Sequence, residues 1–460
     1  MRKQRWTHRC RLLPWILIPG FVPVTASASR LPHAGFLTQL QFTVPDTSES
    51  EFRLVNGLVG FIRAELDSPV VRLTAFVRAG TGDDEQQGAA EMLEWVLRRG
   101  PCWMGPGAFR EALDRMAADL SVRMSVDLTA ITLRVPVEHA NQGVRLFSGV
   151  VREPCIDRPV LEEFQLMPRP PLSTVPAGEI QTVSGDIGAA LDLFRSRLFA
   201  GHPYTSVVTA AEVAELTVDD VERFHREYFT PTNMVLAVSG PFVPPLFLRD
   251  VDQRFGDWER RLPPRLRNAP NVDLPLRETH RYEAEGPQRW IVAGHELSLV
   301  RPRDLAAFEV MNFILGGAHT DSRLIQEAGL RRGLANDVRS VPEPNVRGPG
   351  TYTVRTYGTT DVTQDLIEVI ISEIGRMRTE VVTEQELSVA KEAILNSFAS
   401  RFGDGHRVAT TFAEELATHG GFGGLVQFPE RLNDVSVEDV RRVAERYLKP
   451  DRLLVVVVGG

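Results

Sequence analysis

The strongest constraint on the fold is an internal repeat. Residues 217–240 align without gaps onto residues 436–459, at a constant offset of 219 positions and with eight identical pairs. Each copy starts with a Thr or Ser suited to an N-cap and continues as a periodic helix. After a Pro turn it ends in an apolar run that closes on Gly. A repeat of this length is not a solenoid unit and predicts two tandem copies of one domain.

Composition agrees with two globular domains. The chain has 460 residues, of which 43% are hydrophobic and 24% charged, which is enough apolar material for two cores. We expect the domains at residues 40–240 and 278–460. The proline-rich and charged stretch 241–277 is predicted to be the linker between them. The net charge of −8 argues against nucleic acid as a partner.

The first 28 residues are predicted to be a cleaved export signal. A basic segment precedes the apolar run 12–24, and Ala26-Ser27-Ala28 fits a small-residue cleavage site. The apolar run is too short and too rich in proline to span a bilayer. A disordered tail or an uncleaved anchor is the alternative. Cleavage would leave a periplasmic or secreted protein with no transmembrane segment and a net charge of −13.

Two cysteines, Cys102 and Cys155, remain after such a cleavage. An oxidising compartment permits a disulfide between them, but the sequence does not show whether their Cα atoms approach closely enough. Two independent buried thiols are the interpretation we favour from the sequence, because free cysteine behaves as a small apolar side chain.

Residues 88–100 form a helical stretch that begins with small residues and stops at Gly. It resembles the signature of the insulinase/pitrilysin-like zinc metalloproteases, in which His-x-x-Glu-His places two zinc ligands on one helix face and a Glu activates water. Here the two ligand positions hold Glu91 and Trp95, and only Glu94 keeps its residue type. An indole nitrogen has no free lone pair for a metal, so Trp95 is excluded as a ligand.

The resemblance extends along most of the chain. Short patches match the family in order and spacing, and they lie at residues 54–58, 70–80, 125–129, 198–204, 216–240, 315–317, 322–324, 333–335 and 382–391. The resemblance implies an α+β fold of two tandem duplicated domains. Each would be an antiparallel sheet covered by helices on one side, and together they would form half of a clamshell.

The family's third zinc ligand is a Glu on a helix downstream of the motif. The resemblance puts Pro171 at that position, and proline offers no ligand atom and breaks the helix. Glu162 or Glu163 are possible substitutes, although a solvated helix face is the simpler interpretation of both. A remodelled site for a hard cation, using Glu91 and Glu94 with His139 or His202, is a further alternative. The resemblance therefore implies no metal, no cofactor and no catalytic residue in this chain.

In heterodimeric relatives an inactive subunit binds substrate through an Arg and a Tyr in its second half. The corresponding positions here hold Gly329 and Asn336, so that pair is absent. Arg331 and Arg332 are the candidate substrate-binding residues, because a guanidinium can bind a carbonyl or carboxylate. The alternative is two exposed arginines at a helix end.

The function implied is that of a catalytically inactive subunit. It would pair with a homologous zinc-bearing peptidase subunit, which alone would carry the zinc, and would help enclose an extended peptide. One alternative is a scaffold protein with no peptidase role, and another is a residual metal-dependent peptidase. The glycines at 420–424 are not a phosphate-binding loop, because no Lys-Ser/Thr follows them.

Overall fold

The computed structural model describes residues 42–46, 50–168, 186–205, 208–265, 269–270, 272, 277–286, 288–317 and 319–460. Residues 40–460 form one compact unit built around two sheets. None of the helices in these ranges is long and apolar enough to cross a membrane.

The first sheet has six strands in the order β1-β2-β6-β3-β5-β4, and only the β2–β6 pair is parallel. The strands are β1 Glu51–Arg53, β2 Val59–Ala64, β3 Val70–Val77, β4 Asp119–Met124, β5 Thr129–Pro136 and β6 Met234–Gly240. All residues of β6 are buried, which its continuous apolar sequence anticipates. The helices of this half are α1 Ala89–Leu97, α2 Pro106–Arg115, α3 Ala140–Arg152, α4 Arg158–Gln165, α5 Ile187–Leu198, α6 Ala210–Glu215, α7 Val218–Tyr228 and α8 Pro244–Phe255.

The second sheet has five strands in the order β7-β11-β8-β10-β9. They are β7 Glu278–Tyr282, β8 Arg289–Leu297, β9 Val338–Glu343, β10 Gly350–Gly358 and β11 Leu454–Val458. The helices of this half are α9 Leu305–Gly316, a π-helix at Ile325–Arg331, α10 Thr363–Thr379, α11 Glu384–Ser400, α12 Gly405–His419, α13 Gly423–Asn433 and α14 Val437–Tyr447.

The structure confirms the duplicated α+β fold. Helices α7 and α14 both begin with a capping box, Thr217 with Asp220 in one copy and Ser436 with Asp439 in the other. Strand β6 is parallel to β2 and antiparallel to β3, and β11 is likewise parallel to β7 and antiparallel to β8. The repeated sequence therefore builds the same helix and the same interior strand in each sheet.

The two halves exchange helices, so each sheet is covered on both faces rather than on the one face that we expected. Helix α12 of the second half packs on β2, β3 and β6 of the first sheet, where the rings of Phe61 and Phe412 lie 5.9 Å apart. Helix α5 of the first half packs on β8 and β11, where Phe194 shares a buried cluster with Val292. Alternate residues of a strand point to opposite faces, so each sheet needs two apolar covers.

The stretch 241–277, expected to be a linker, contains helix α8. Phe247, Val251 and Phe255 are buried and recur at intervals of four residues, so one face of α8 packs onto α3. Prolines 244 and 245 stand at the first turn of α8, where a missing N–H costs nothing. The sequence alone therefore could not distinguish prolines that start a helix from prolines in a linker.

The preference for two free buried thiols was wrong. Cys102 and Cys155 form a disulfide, with their Cα atoms 4.1 Å apart. The backbone brings them together, because Pro101 and Pro154 form an isolated antiparallel bridge and the Cys102 N–H donates to the Glu153 carbonyl at 2.8 Å. Cys102 is exposed, so this pair joins two surface turns and contributes nothing to the core.

Candidate functional site

A cavity of about 610 Å³ opens between the two halves beside helix α1. The first half supplies the outer face of α1, the β4–β5 turn and the segment after α5, and the second half supplies the end of β9 and the loop after it. The lining residues include Asp84, Glu91, Glu94, Met124, Val126, Leu128, Phe199, Thr205, Val208, Glu343 and Val346. Two of the motif residues, Glu91 and Glu94, therefore face this partly open cavity.

Helix α1 begins with an unusual cap. Gly88 occupies the N-cap position with φ of 101°, a conformation that favours glycine, and it has no side chain to cap the helix. Asp84 caps the helix instead, because its carboxylate accepts the N–H of Gly88 at 3.1 Å and the N–H of Ala90 at 2.8 Å. Burial raises the pKa of Asp84 to about 7, against the lowering effect of these two hydrogen bonds.

Glu94, the residue at the general-base position, is bound to its neighbours. Its carboxylate pairs with Arg98 at 2.5 Å. Burial raises the pKa of Glu94, and Arg98 and the Met124 N–H oppose that rise. Arg98 also donates to the Val122 carbonyl at 2.7 Å. The carboxylate thus anchors α1 to the edge of the sheet.

Trp95 occupies the second ligand position but points away from the cavity. Its ring packs against Phe164 of α4 at 5.6 Å, and the Arg99 guanidinium lies over it at 4.3 Å. Glu91 does line the cavity. These residues do not fit a zinc ion, because the indole has no lone pair to offer. Across the described ranges, no group of three His, Cys, Asp or Glu side chains is arranged to hold a metal.

The other proposed ligands lie elsewhere. Glu162 pairs with Arg158 at 2.9 Å and Glu163 with Arg99 at 2.8 Å, both on the exposed face of α4. His202 contacts the Pro270 carbonyl, and His139 stands at the start of α3. None of these four residues lines the cavity. Pro171 lies outside the described residues.

Arg331 and Arg332 also lie outside the cavity lining. Both pair with Glu327, at 3.1 and 2.8 Å, at the end of the π-helix. Their side chains are 67% and 50% exposed, and their hydrogen bonds lower the pKa of Glu327. This arrangement matches the alternative of two exposed arginines at a helix end. The structure offers no contact that would present them to a peptide in the cavity.

The sequence did not reveal a buried ionic cluster at the cavity wall. Arg347 of the second half pairs with Asp83 at 2.5 Å and with Asp127 at 3.0 Å, both from the first half. Tyr204 donates to Asp127 at 2.8 Å, and burial together with the Asp127 charge raises the pKa of Tyr204. Asp127 also accepts the backbone N–H of Val346. We call Asp83, Asp127, Tyr204 and Arg347 the clamp, because they join the two halves beside the cavity.

Part of the clamp had a signal in the sequence. Asp127 and Tyr204 lie in two of the patches that resemble the metalloprotease family, at residues 125–129 and 198–204. Nothing in those patches indicates that the two side chains meet. Arg347 lies in none of the patches, and Asp127 and Val346 are 219 positions apart in the chain. Only the folded arrangement of the halves brings them together.

Comparisons with known proteins support the resemblance. A family described as "Peptidase M16 inactive domain" matches residues 215–394. An uncharacterized zinc protease of Bacillus subtilis is 23% identical over 85% of this chain and 94% of its own length. A probable mitochondrial-processing peptidase subunit beta of Arabidopsis thaliana is 20% identical over 88% of this chain and 77% of its own length.

Solved structures show the same fold. A peptidase M16 inactive domain from Pseudomonas fluorescens superposes with a TM-score of 0.75 at 18% identity, covering 89% of this chain and 97% of its own. A protease from Helicobacter pylori gives 0.72 at 17% identity, covering 89% and 99%. These likenesses show the two-domain α+β fold.

Proposed function

We propose that this chain, which belongs to the insulinase-like M16 peptidase family as a member without the zinc ligands, is an exported, non-catalytic subunit. In this proposal it pairs with a homologous zinc-bearing subunit and helps to enclose an extended peptide. The observation that carries the proposal is the contrast at α1. The cavity beside the helix is retained, whereas Glu91 and Trp95 stand where two imidazoles would bind zinc.

The cavity suits a peptide better than a small polar metabolite. Its wall combines apolar side chains such as Val126, Leu128 and Val208 with the end of the edge strand β4. An extended peptide can add to a sheet edge through backbone hydrogen bonds, which gives affinity that tolerates many sequences. Asp84, Glu91 and Glu94 make the α1 side of the wall acidic.

Export is the second part of the proposal. It rests on the basic and apolar start of the sequence and on the Ala26-Ser27-Ala28 pattern. The disulfide between Cys102 and Cys155 supports it, because such bonds persist in oxidising compartments. Intact-mass measurement on protein from the envelope fraction tests it: we expect a chain that starts near Ser29, and a mass that retains residues 1–28 contradicts cleavage.

The partner hypothesis is tested by mixing. The mature chain is combined with an M16 protein from the same genome that carries an intact His-x-x-Glu-His motif, and the rate of peptide hydrolysis is measured. We expect a complex and a higher rate than either protein gives alone. Thr205→Trp, which fills the cavity, should abolish the increase, and Thr379→Trp on the exposed end of α10 should not.

Each alternative gives a different result. A scaffold forms the complex without changing the hydrolysis rate. A residual metal-dependent peptidase holds about one zinc per chain by elemental analysis and loses it in Glu91→Ala. We expect no stoichiometric zinc and no hydrolysis by the isolated chain. If the zinc-bearing protein is fully active alone and no complex forms at micromolar concentration, the partner hypothesis fails.

A further inference from the structure

Strand β4 is the edge of the six-stranded sheet as far as the described residues go, and it runs along α1 into the cavity. Its pairing with β5 fixes which backbone groups face outward. The Ser125 N–H bonds to the Leu128 carbonyl across the turn, so Ser125 and Arg123 turn their peptide groups inward toward β5. Val122 and Met124 therefore turn their N–H and C=O groups to the open side, where an added strand would bind.

The side chain of Arg98, one residue past the end of α1, occupies that open side and donates to the Val122 carbonyl at 2.7 Å. Glu94 of α1 lines the cavity and pairs with Arg98 at 2.5 Å. The two residues are four positions apart and so project from the same side of the chain. The Arg98 guanidinium thus satisfies the Val122 carbonyl, an acceptor that an incoming peptide would use.

We propose that Glu94 and Arg98 form a latch that closes the cavity end of strand β4, and that an extended peptide pairs with this end only after Arg98 leaves the Val122 carbonyl. This inference rests on the proposed function, since it concerns how the peptide reaches the cavity. Arg98 can leave without disturbing the core, because its side chain is 52% exposed, whereas Glu94 is 22% exposed. The latch would therefore set which part of the edge is open to a peptide.

The ligand expected from this geometry is a peptide in β-conformation, recognised through its backbone. The probe is a fluorescein-labelled decapeptide of alternating valine and threonine. Its counterpart is the same peptide methylated on alternate backbone nitrogens, which removes the donors that strand addition needs. Binding is measured by fluorescence anisotropy to the full mature chain, for the native sequence, Arg98→Ala and Arg99→Ala.

Arg98→Ala should bind the unmethylated peptide about fivefold more tightly than the native chain, because one competing charge-assisted hydrogen bond is removed. Arg99→Ala is the matched control. It removes the same charge from the next residue along the chain, but Arg99 contacts Trp95 and Glu163 and not β4. With the methylated peptide, Arg98→Ala should bind no more tightly than the native chain. Three results would overturn the latch. Arg98→Ala could bind the peptide with the same affinity as the native chain, or Arg99→Ala could bind it as tightly as Arg98→Ala does. The third is that none of the three proteins binds the peptide.

The mixing experiment on hydrolysis uses neither of these arginine variants, so its failure would count against the proposed subunit role and not against the contacts on β4.

Discussion

Replacing Arg347 with Met should be among the most damaging single substitutions in this chain. Its side chain is 11% exposed, and those of Asp83 and Asp127 are 5% and 4% exposed. Without Arg347, two buried carboxylates face each other with no cation between them. Removing one partner of a buried ion pair typically costs about 3–5 kcal/mol, much more than the pair itself contributes. We expect a loss in that range for the free energy of unfolding.

Urea denaturation followed by tryptophan fluorescence measures this loss, which should lower the midpoint by about 1 M or more. Arg339→Met is the matched control, because Arg339 pairs with Asp337 at 2.7 Å but its side chain is 56% exposed. That variant should lose less than about 1 kcal/mol. Adding Asp83→Asn and Asp127→Asn to Arg347→Met should recover part of the loss. A loss below about 1 kcal/mol for Arg347→Met would refute the reasoning that the clamp is a buried, coupled cluster.

Three further perturbations have defined outcomes. Burial raises the folded-state pKa of Asp84 to about 7 from an ordinary 3.8, so the charged carboxylate opposes folding. The native chain should therefore lose stability between pH 4 and 7, and Asp84→Asn should not. In thermal melts, the stability of Asp84→Asn relative to the native chain should rise over this range and level off above pH 7. Cys102→Ser with Cys155→Ser opens a bridge that spans 53 residues and should cost about 2–4 kcal/mol in urea, a loss that dithiothreitol reproduces in the native chain. Residues 40–265 and 277–460 expressed separately should each fail to give a folded circular dichroism spectrum, and co-expression should restore it, because α5 and α12 cover the opposite halves' sheets.

The duplicated fold could be predicted because its evidence is local. The helix and strand of each repeat are specified by a capping box, an apolar periodicity and a Pro turn, all within 24 consecutive residues. The degenerate motif could be recognised for the same reason, since Glu91, Glu94 and Trp95 lie on one helix. In both cases the residues that decide the structure are neighbours in the sequence.

The helix exchange and the clamp could not be predicted, because they depend on how two halves pack. Phe412 of α12 and Phe61 of β2 are ordinary apolar residues in the sequence, and nothing marks them as partners across 351 positions. Arg347 and Asp83 are likewise unremarkable until the fold joins them. Helix α8 was missed for a different reason. Its first-turn prolines were interpreted as part of a linker, and the periodic spacing of Phe247, Val251 and Phe255 was given less weight.

Helix α1 shows how the fold can be kept while the residues at its motif positions differ. Its buried face is formed by Ala89, Ala90, Met92, Leu93, Val96 and Leu97, which hold the helix on the sheet. The motif positions lie between these residues. Glu91 and Glu94 line the cavity, and Trp95 packs against Phe164 at the margin of the buried face. Because 3.6 residues make a turn, one helix can keep its core face while its other face changes. The side chains at these motif positions can therefore vary at little cost in stability, and on this face Glu94 pairs with Arg98, which binds the sheet edge.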